Sequence, residues 1–509
     1  MKRPNILFIT ADQQRADCLG VEGRPIKTPH LDGLAHDGVR FTAAITPNAV
    51  CQPTRASILT GILPRTHGVH DNGVDLESRV GEAGFAGALA AAGYDTAFFG
   101  KAHFATFHTY EPTGTPESLS SAAGYPADWY GPYMGFEHVE LMLVGHNWFL
   151  PEEPPGGQHY ERWFFADGRG HEKNALYQAN AQDTKGAAQT WHSKLPVAWH
   201  NSTWTADVTI DWLRQAARQE RPFCTWVSFP DPHHPFDCPE PWSRLHHPDE
   251  VDLPEHRTRD FERRPWWHEA VVTAQPAGAS EHADIRKQYS RIAPQSDAQL
   301  REIIANTFGQ IALIDHSVGR ILVALEQAGL AENTIIVYSS DHGDWLGDHG
   351  LILKGPMHYE GLLRVPLLVR APWLPAGKVV ADPVSTLDLG ATFCDYAGAS
   401  VLREQHGRSL RPLLEADDKS RDFALNEWEL LPTRVGVALS LRSVRTATHK
   451  LTVDALSGAG EMYDLANDPQ ELNNLFEDSS AASVRRELEE MLASRPDDMR
   501  PNQVQVGMA

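Results

Sequence analysis

The chain has 509 residues, 41% of them hydrophobic and 22% charged, which is enough apolar material for two or three packed units and excludes wholesale disorder. Lys and Arg number 45 against 67 Asp and Glu, a net charge of −22 that argues against a general binder of nucleic acid or anionic membrane. An acidic chain that handles an anion needs a local positive site, and 25 histidines make one worth seeking.

The opening MKRPNILFITADQQ is interrupted by Asp12 and lacks a signal-peptide core, and no apolar run approaches the roughly twenty residues of a membrane span. Five scattered cysteines without CxxC spacing form neither a disulfide framework nor a zinc ribbon, and the expected compartment is the cytoplasm.

Asn5 to Thr10 reads as a first strand buried on both faces. The Ala-rich stretch Phe85 to Ala92 predicts a helix, followed by a second strand, Thr96 to Phe99. A helix over 205–219 precedes a third strand, Phe223 to Phe229, and a long helix over 297–328 precedes a fourth, Thr334 to Tyr338. The fifth strand, Val365 to Val369, leads to a helix over 386–397. This alternation predicts an α/β fold with a large, mostly parallel or mixed central sheet flanked by helices. Residues 105–204 and 237–296 read as insertions rich in Pro, Gly, His and aromatics, the first holding Trp129, Trp148, Trp163, Trp191, Trp199 and Trp204. They are expected to be lids or specificity walls, or else surface elaborations and oligomer contacts. From 411 to 509 shorter strands and polar turns predict a smaller α+β subdomain, ending in a charged helix near 483–493. The tail from Asn502 to Ala509 reads as extended and able to reach a neighbouring subunit, so a homo-oligomer stays open.

Chemistry-bearing residues follow the strands. Asp12-Gln13 follows the first, Gly100-Lys101-Ala102-His103 the second, Pro230-Asp231-Pro232-His233-His234 the third and Ser340-Asp341-His342-Gly343 the fourth. Ligands of open parallel sheets bind beyond the carboxyl ends of the strands, so these groups converge on one edge. Asp12, Asp341 and His342 make a divalent-metal set, although a helix cap and a turn would use the same residues. In Cys51-Gln52-Pro53-Thr54-Arg55, Pro53 and Thr54 predict a helix start, which puts Cys51 just before an amide-rich terminus, with Arg55 one turn on and able to turn back towards the Cys51 side chain. An inert buried thiol, a low-pKa redox thiol and an anion site all fit that position.

The run Cys51-x-Pro53-x-Arg55-x-x-x-Leu59-Thr60-Gly61, followed by Pro64-x-x-His67-Gly68-Val69, resembles the signature of the formylglycine-dependent sulfatases of the alkaline-phosphatase-like superfamily. The resemblance extends from the first strand through the Lys101, His233 and Asp341 elements to Met462-Tyr463-Asp464-Leu465. It implies hydrolysis of a small-molecule sulfate monoester, with no nucleic acid or membrane partner. It also implies that a formylglycine-generating maturation enzyme converts Cys51, whose hydrated aldehyde serves as nucleophile beside one divalent metal at Asp12, Gln13, Asp341 and His342. In the family's terms Arg55 holds the hydrate, Lys101 and Lys354 bind the sulfate, His103 removes a hydroxyl proton so that sulfate leaves, and His233 binds the ester and protonates the alcohol. Asn72 is a further candidate anion contact, or a turn residue before Gly73. Hard oxygen ligands and the family suggest Ca²⁺, while His342 makes Mn²⁺ or Mg²⁺ reasonable alternatives.

Gln13 departs from arylsulfatases, which carry a second Asp there, and resembles the choline sulfatase and phosphonate monoester hydrolase branches. The latter lack the Lys101-x-His103 pair, which favours sulfate. The alternatives are a phosphonate monoester or phosphodiester hydrolase with the same machinery and, outside enzymes, an unconverted Cys51 acting as an anion-binding or redox-sensing thiol.

Overall fold

The computed structural model describes residues 3–143, 157–179, 183–274, 292–416, 418 and 421–508. Parts of both insertions, with Trp148 and Ala509, lie outside the described residues.

The strands are β1 (Asn5–Ala11), β2 (Val39–Ile45), β3 (Asp95–Lys101), β4 (His108–Thr109), β5 (His138–Met142), β6 (Phe223–Ser228), β7 (Thr334–Ser340), β8 (Arg364–Arg370), β9 (Lys378–Val380) and β10 (Val384–Ser385). All but β4 form one nine-stranded sheet in the order β10-β2-β8-β7-β1-β6-β3-β5, with β9 also pairing β2. The run β7-β1-β6-β3-β5 is parallel, whereas β8 runs antiparallel to both β7 and β2. The sheet is therefore mixed, and the fifth predicted strand is the one that reverses direction.

Alternation along β1 shows why these strands are apolar throughout. Ile6 and Phe8 face one layer with Phe85, Phe98, Trp226 and Phe393, while Leu7 and Ile9 face the other with Leu213, Val227, Ile314 and Ile336. Helices α1 (Cys51–Thr60), α2 (Phe85–Ala91), α3 (Asn201–Ala216), α4 (Asp297–Gln327) and α5 (Asp388–Ala397) cover these faces. Helix α4 has 31 residues and a Ser296–Gln299 capping box. By length and composition it could cross a membrane, and it is mostly buried inside the fold.

Strands β11 (Phe423–Leu430), β12 (Leu439–Thr446), β13 (His449–Asp454) and β14 (Gly460–Asp464) form a second, antiparallel sheet. Helix α6 (Ala482–Ala493) packs on one face around Val444, Leu451, Met462 and Leu488. The other face joins Trp428, Leu441 and Tyr463 to Val50, Trp345 and Tyr359, beside the Cys51 segment. The tail folds back on its own chain: β15 (Gly507–Met508) pairs antiparallel with β4, and the Val506 amide donates to Gly73 O at 2.8 Å.

Candidate active site

Four neighbouring parallel strands, β7, β1, β6 and β3, end side by side, and their extensions supply most of the groups anticipated from the sequence. The Asp12 amide donates to Asp231 O at 3.0 Å, which ties two of these ends together. At β3, Gly100 has φ +102°, and a Cβ there would sit 2.0 Å from the Ser228 carbonyl oxygen. Only glycine lets the β3 and β6 ends approach this closely before Lys101 and His103.

Cys51 is the first residue of α1 rather than the residue before it. Pro53 costs the helix nothing, because first-turn amides have no intrahelical acceptor. The Asn72 Oδ1 accepts the Gln52 backbone amide at 3.0 Å, at the first turn of α1. Gly61, at φ +70°, closes the other end in the left-handed conformation.

The Cys51 sulfur is 1% exposed and lies at the focus of the site. Lys354 Nζ is 3.0 Å away, His342 Nε2 3.2 Å and Asp12 Oδ1 3.6 Å, with His103 and His233 within hydrogen-bonding reach. Burial pushes the thiol up, but Lys354, Lys101 and His342 outweigh it and hold Cys51 well below its usual value. Burial dominates the other four: Cys18 is pushed up to about 12, Cys394 to about 11, and Cys224 and Cys238 well above the usual range.

Arg55 does not turn back to Cys51. Its fully buried guanidinium braces the two carboxylates, with Nε 2.9 Å from Asp341 and Nη2 3.3 Å from Asp12, while Nη1 donates to the Lys101 carbonyl and to Ser228 Oγ at 2.7 Å each. Lys101 Nζ lies 2.6 Å from Asp12 Oδ2. Burial and Cys51 would raise the Asp12 carboxyl, yet Lys101, His233 and Arg55 win and hold it well below the carboxylate range.

Donor atoms of Asp12, Cys51, Asp341 and His342 all lie within 4.8 Å of one another. The His342 Nδ1–H donates to Gly343 O at 2.8 Å, which leaves Nε2 as the ligand atom. Gln13 adds a buried Oε1 with no hydrogen-bond partner. Its amide is oriented by Asp344, whose Oδ2 accepts Gln13 Nε2 at 2.6 Å and whose Oδ1 accepts the Leu346 and Leu353 amides at 2.7 Å each. Two carboxylates, an amide oxygen and one imidazole fit a hard divalent cation. A second group, His256, Asp260 and His349, also clusters, but Arg264 already fills it, at 2.9 Å from Asp260 and 3.4 Å from His349.

His233 Nδ1–H donates to His234 O at 2.7 Å. Burial, Lys354 and Lys101 press His233 down to about 4, and burial lowers His103 as well, so both are neutral near pH 7. Sequence reasoning missed Ser228, Asp344 and Glu117. Asp344 stands in the same Ser340–Asp344 run as two expected ligands, and that proximity is the only signal pointing to it.

Residues 4–399 match the sulfatase family model, and 347–498 match the model of the N-sulphoglucosamine sulphohydrolase C-terminal region. An arylsulfatase of Clostridium perfringens is 29% identical, the alignment covering 93% of this chain and 90% of that one. An N-acetylglucosamine-6-O-sulfatase of Bacteroides thetaiotaomicron is 28% identical over 96% of this chain and 86% of its own. The crystal structure of a phosphonate monoester hydrolase of Agrobacterium radiobacter superposes with a TM-score of 0.74 at 28% identity, covering 97% of this chain and 95% of that one. The chain belongs to the sulfatase family, within the alkaline-phosphatase-like superfamily, and is a sulfuric ester hydrolase.

Proposed function

We propose that the protein hydrolyses a sulfate monoester at Cys51 after that residue has been converted to formylglycine, with one divalent cation held by Asp12, Gln13, Asp341 and His342. The observation that carries this reading is a single sulfur met at 3.0–3.6 Å by a lysine, an imidazole and a carboxylate, with two further histidines in reach. When bound, the cation supplies Lewis-acid charge at the sulfate oxygens, and formylglycine supplies a hydrated aldehyde as nucleophile.

The chain's own residues divide the remaining work. Lys354 and Lys101 bind the non-bridging oxygens, and Asn72 Nδ2 adds a neutral donor. Arg55 keeps the two carboxylates apart from one another's repulsion and fixes their oxygens. His103, neutral and beside position 51, is suited to accept a hydroxyl proton there. His233 enters neutral with Nδ1–H committed to His234 O, so it stabilises the leaving alcohol only with a proton taken up alongside the anionic ester.

The mass of the peptide carrying Cys51, from protein made with a maturation enzyme, tests the reading; an aldehyde or its hydrate is expected. Full turnover by metal-replete Cys51→Ala would refute it.

A second reading, hydrolysis of phosphonate monoesters or phosphodiesters by the same groups, is favoured by Gln13 and by the fold match to a phosphonate monoester hydrolase. Second-order rates on aryl sulfate, phosphonate and phosphodiester esters separate the two. The Lys101–His103 pair makes the sulfate the faster substrate.

A further inference from the structure

His103 occupies an unusual backbone position. Its φ is +51°, in the left-handed region that costs a residue with a Cβ about 1 kcal/mol or more and persists only where the surroundings impose it. What imposes it lies outside the strand-end set. Glu117, from the first insertion, is 3% exposed, and its Oε1 accepts the backbone amides of Phe104 at 3.0 Å and Ala105 at 3.1 Å. Tyr133 OH donates to the same Oε1 at 2.8 Å.

One residue on, the Thr106 amide is taken by Asp75 at 2.7 Å, so three successive amides after β3 are held by acidic side chains, while the Phe104 carbonyl accepts the Leu76 amide at 2.9 Å. Phe104 anchors the turn from the apolar side, its ring 5.7 Å from both Phe98 and Trp226. Consecutive amides converging on one acceptor form a concave anion cradle, here filled by the chain's own carboxylate.

We propose that Glu117 is a positioning residue: by gathering the amides of Phe104 and Ala105, the two residues that follow His103, it holds His103 in its left-handed conformation and so aims the imidazole at position 51. The inference rests on the role proposed above for His103. It gives the first insertion a part in the reaction itself, in addition to any part in choosing the substrate. Burial presses the Glu117 carboxyl up to about 7 against the opposing pull of Tyr133 and the backbone amides, so the group sits where only this cradle justifies a charge.

The test is a double-mutant cycle on fully converted, metal-replete enzyme, using Glu117→Gln, Glu117→Ala, His103→Ala and the two combinations. His103→Ala is expected to lower kcat by about 100-fold or more, the reach of general acid–base catalysis. Glu117→Ala is expected to lower kcat by about 10- to 100-fold with KM within about twofold, as misplacement of a reacting group does, and Glu117→Gln by less. In the His103→Ala background both Glu117 changes should cost under about twofold, because the group they act through is gone. Hydrogen exchange should quicken at the Phe104 and Ala105 amides in Glu117→Ala. If His103→Ala itself has no effect, the reading of the site is wrong. If His103→Ala is crippled but the Glu117 losses are absent, or persist undiminished without His103, the positioning proposal is overturned. Glu117→Gln, nearly isosteric, carries the kinetic arm should Glu117→Ala fold poorly.

Discussion

Arg55→Met should weaken the protein most when no cation is bound. Arg55 and both its carboxylate partners are at most 1% exposed, and removing one member of such a buried group costs about 3–5 kcal/mol because the other charge is left without its partner. Here the loss falls near the lower end, about 3 kcal/mol. Asp12 keeps Lys101 at 2.6 Å, and Asp341 keeps the Gln13 and His342 amides at 3.0 and 2.9 Å. A cation among the same carboxylates replaces the missing charge. At a hundredfold excess over its Kd it adds about 2.7 kcal/mol to the wild type by mass action. It should add more to the variant, whose site has lost a repelling positive group. Urea unfolding with chelator and with saturating metal measures both increments. Equal chelated stabilities, or a metal increment no larger in the variant, would refute the view that Arg55 and the cation share one pair of carboxylates.

Other outcomes follow from the same geometry. In unconverted protein, absorbance at about pH 8 should report one thiolate per chain, that of Cys51, since burial raises the other four cysteines, and Lys354→Met should move the Cys51 titration upward. Absence of that thiolate would contradict the electrostatics described for the site. Asp344→Asn turns an acceptor towards Gln13 into a donor, so the Gln13 amide flips and presents nitrogen; calorimetry should show cation affinity falling about 10-fold or more. Glu461, buried beside His268 at 3.3 Å, is raised by burial but held down to about 2 by His268, Tyr463 and Lys450. A lowered carboxyl stabilises the fold above its unfolded value of 4.5 and loses that contribution as pH falls towards 2. Glu461→Gln should therefore cost roughly 3 kcal/mol near neutrality and almost nothing near pH 2, by unfolding at each pH. A cost independent of pH would assign the loss to packing instead.

Five strands were legible because each is a continuous apolar run, three of them preceded by a helical stretch, and the polar ends of the first four also located Asp12, Lys101, His233 and Asp341. β2 reads VRFTAAI, polar on alternate positions, and β5 is five residues inside an insertion, so neither stood out against its surroundings. The reversal at β8 has no local signature, since a strand buried on both faces looks alike in either direction. At the site, residue types were readable and their partners were not. Arg55 appeared aimed at Cys51 because helical spacing says only which residues share a face. Asp341 and Asp12, which claim its guanidinium, are 286 and 43 residues away. Asp344 and Glu117 act through hydrogen bonds to segments that only tertiary folding brings near. The tail, read as extended and able to reach a neighbouring subunit, is held on its own chain by the hydrogen bond from the Val506 amide to Gly73 O and a two-residue pairing with β4.

That tail and the second sheet set an order of events for Cys51. The Glu427 amide reaches back to Pro47 O at 3.0 Å, the Arg500 amide donates to Arg65 O at 2.8 Å, and the finished fold leaves Cys51 1% exposed. Every one of these closures comes from residues translated hundreds of positions after the cysteine. The segment around Cys51 thus leaves the ribosome long before the pieces that seal it exist. If Cys51 is converted as proposed, the converting enzyme has its opportunity during synthesis and loses it on completion. Slowing elongation beyond residue 420 should raise the converted fraction, and presenting the same enzyme with the finished chain should convert none of it.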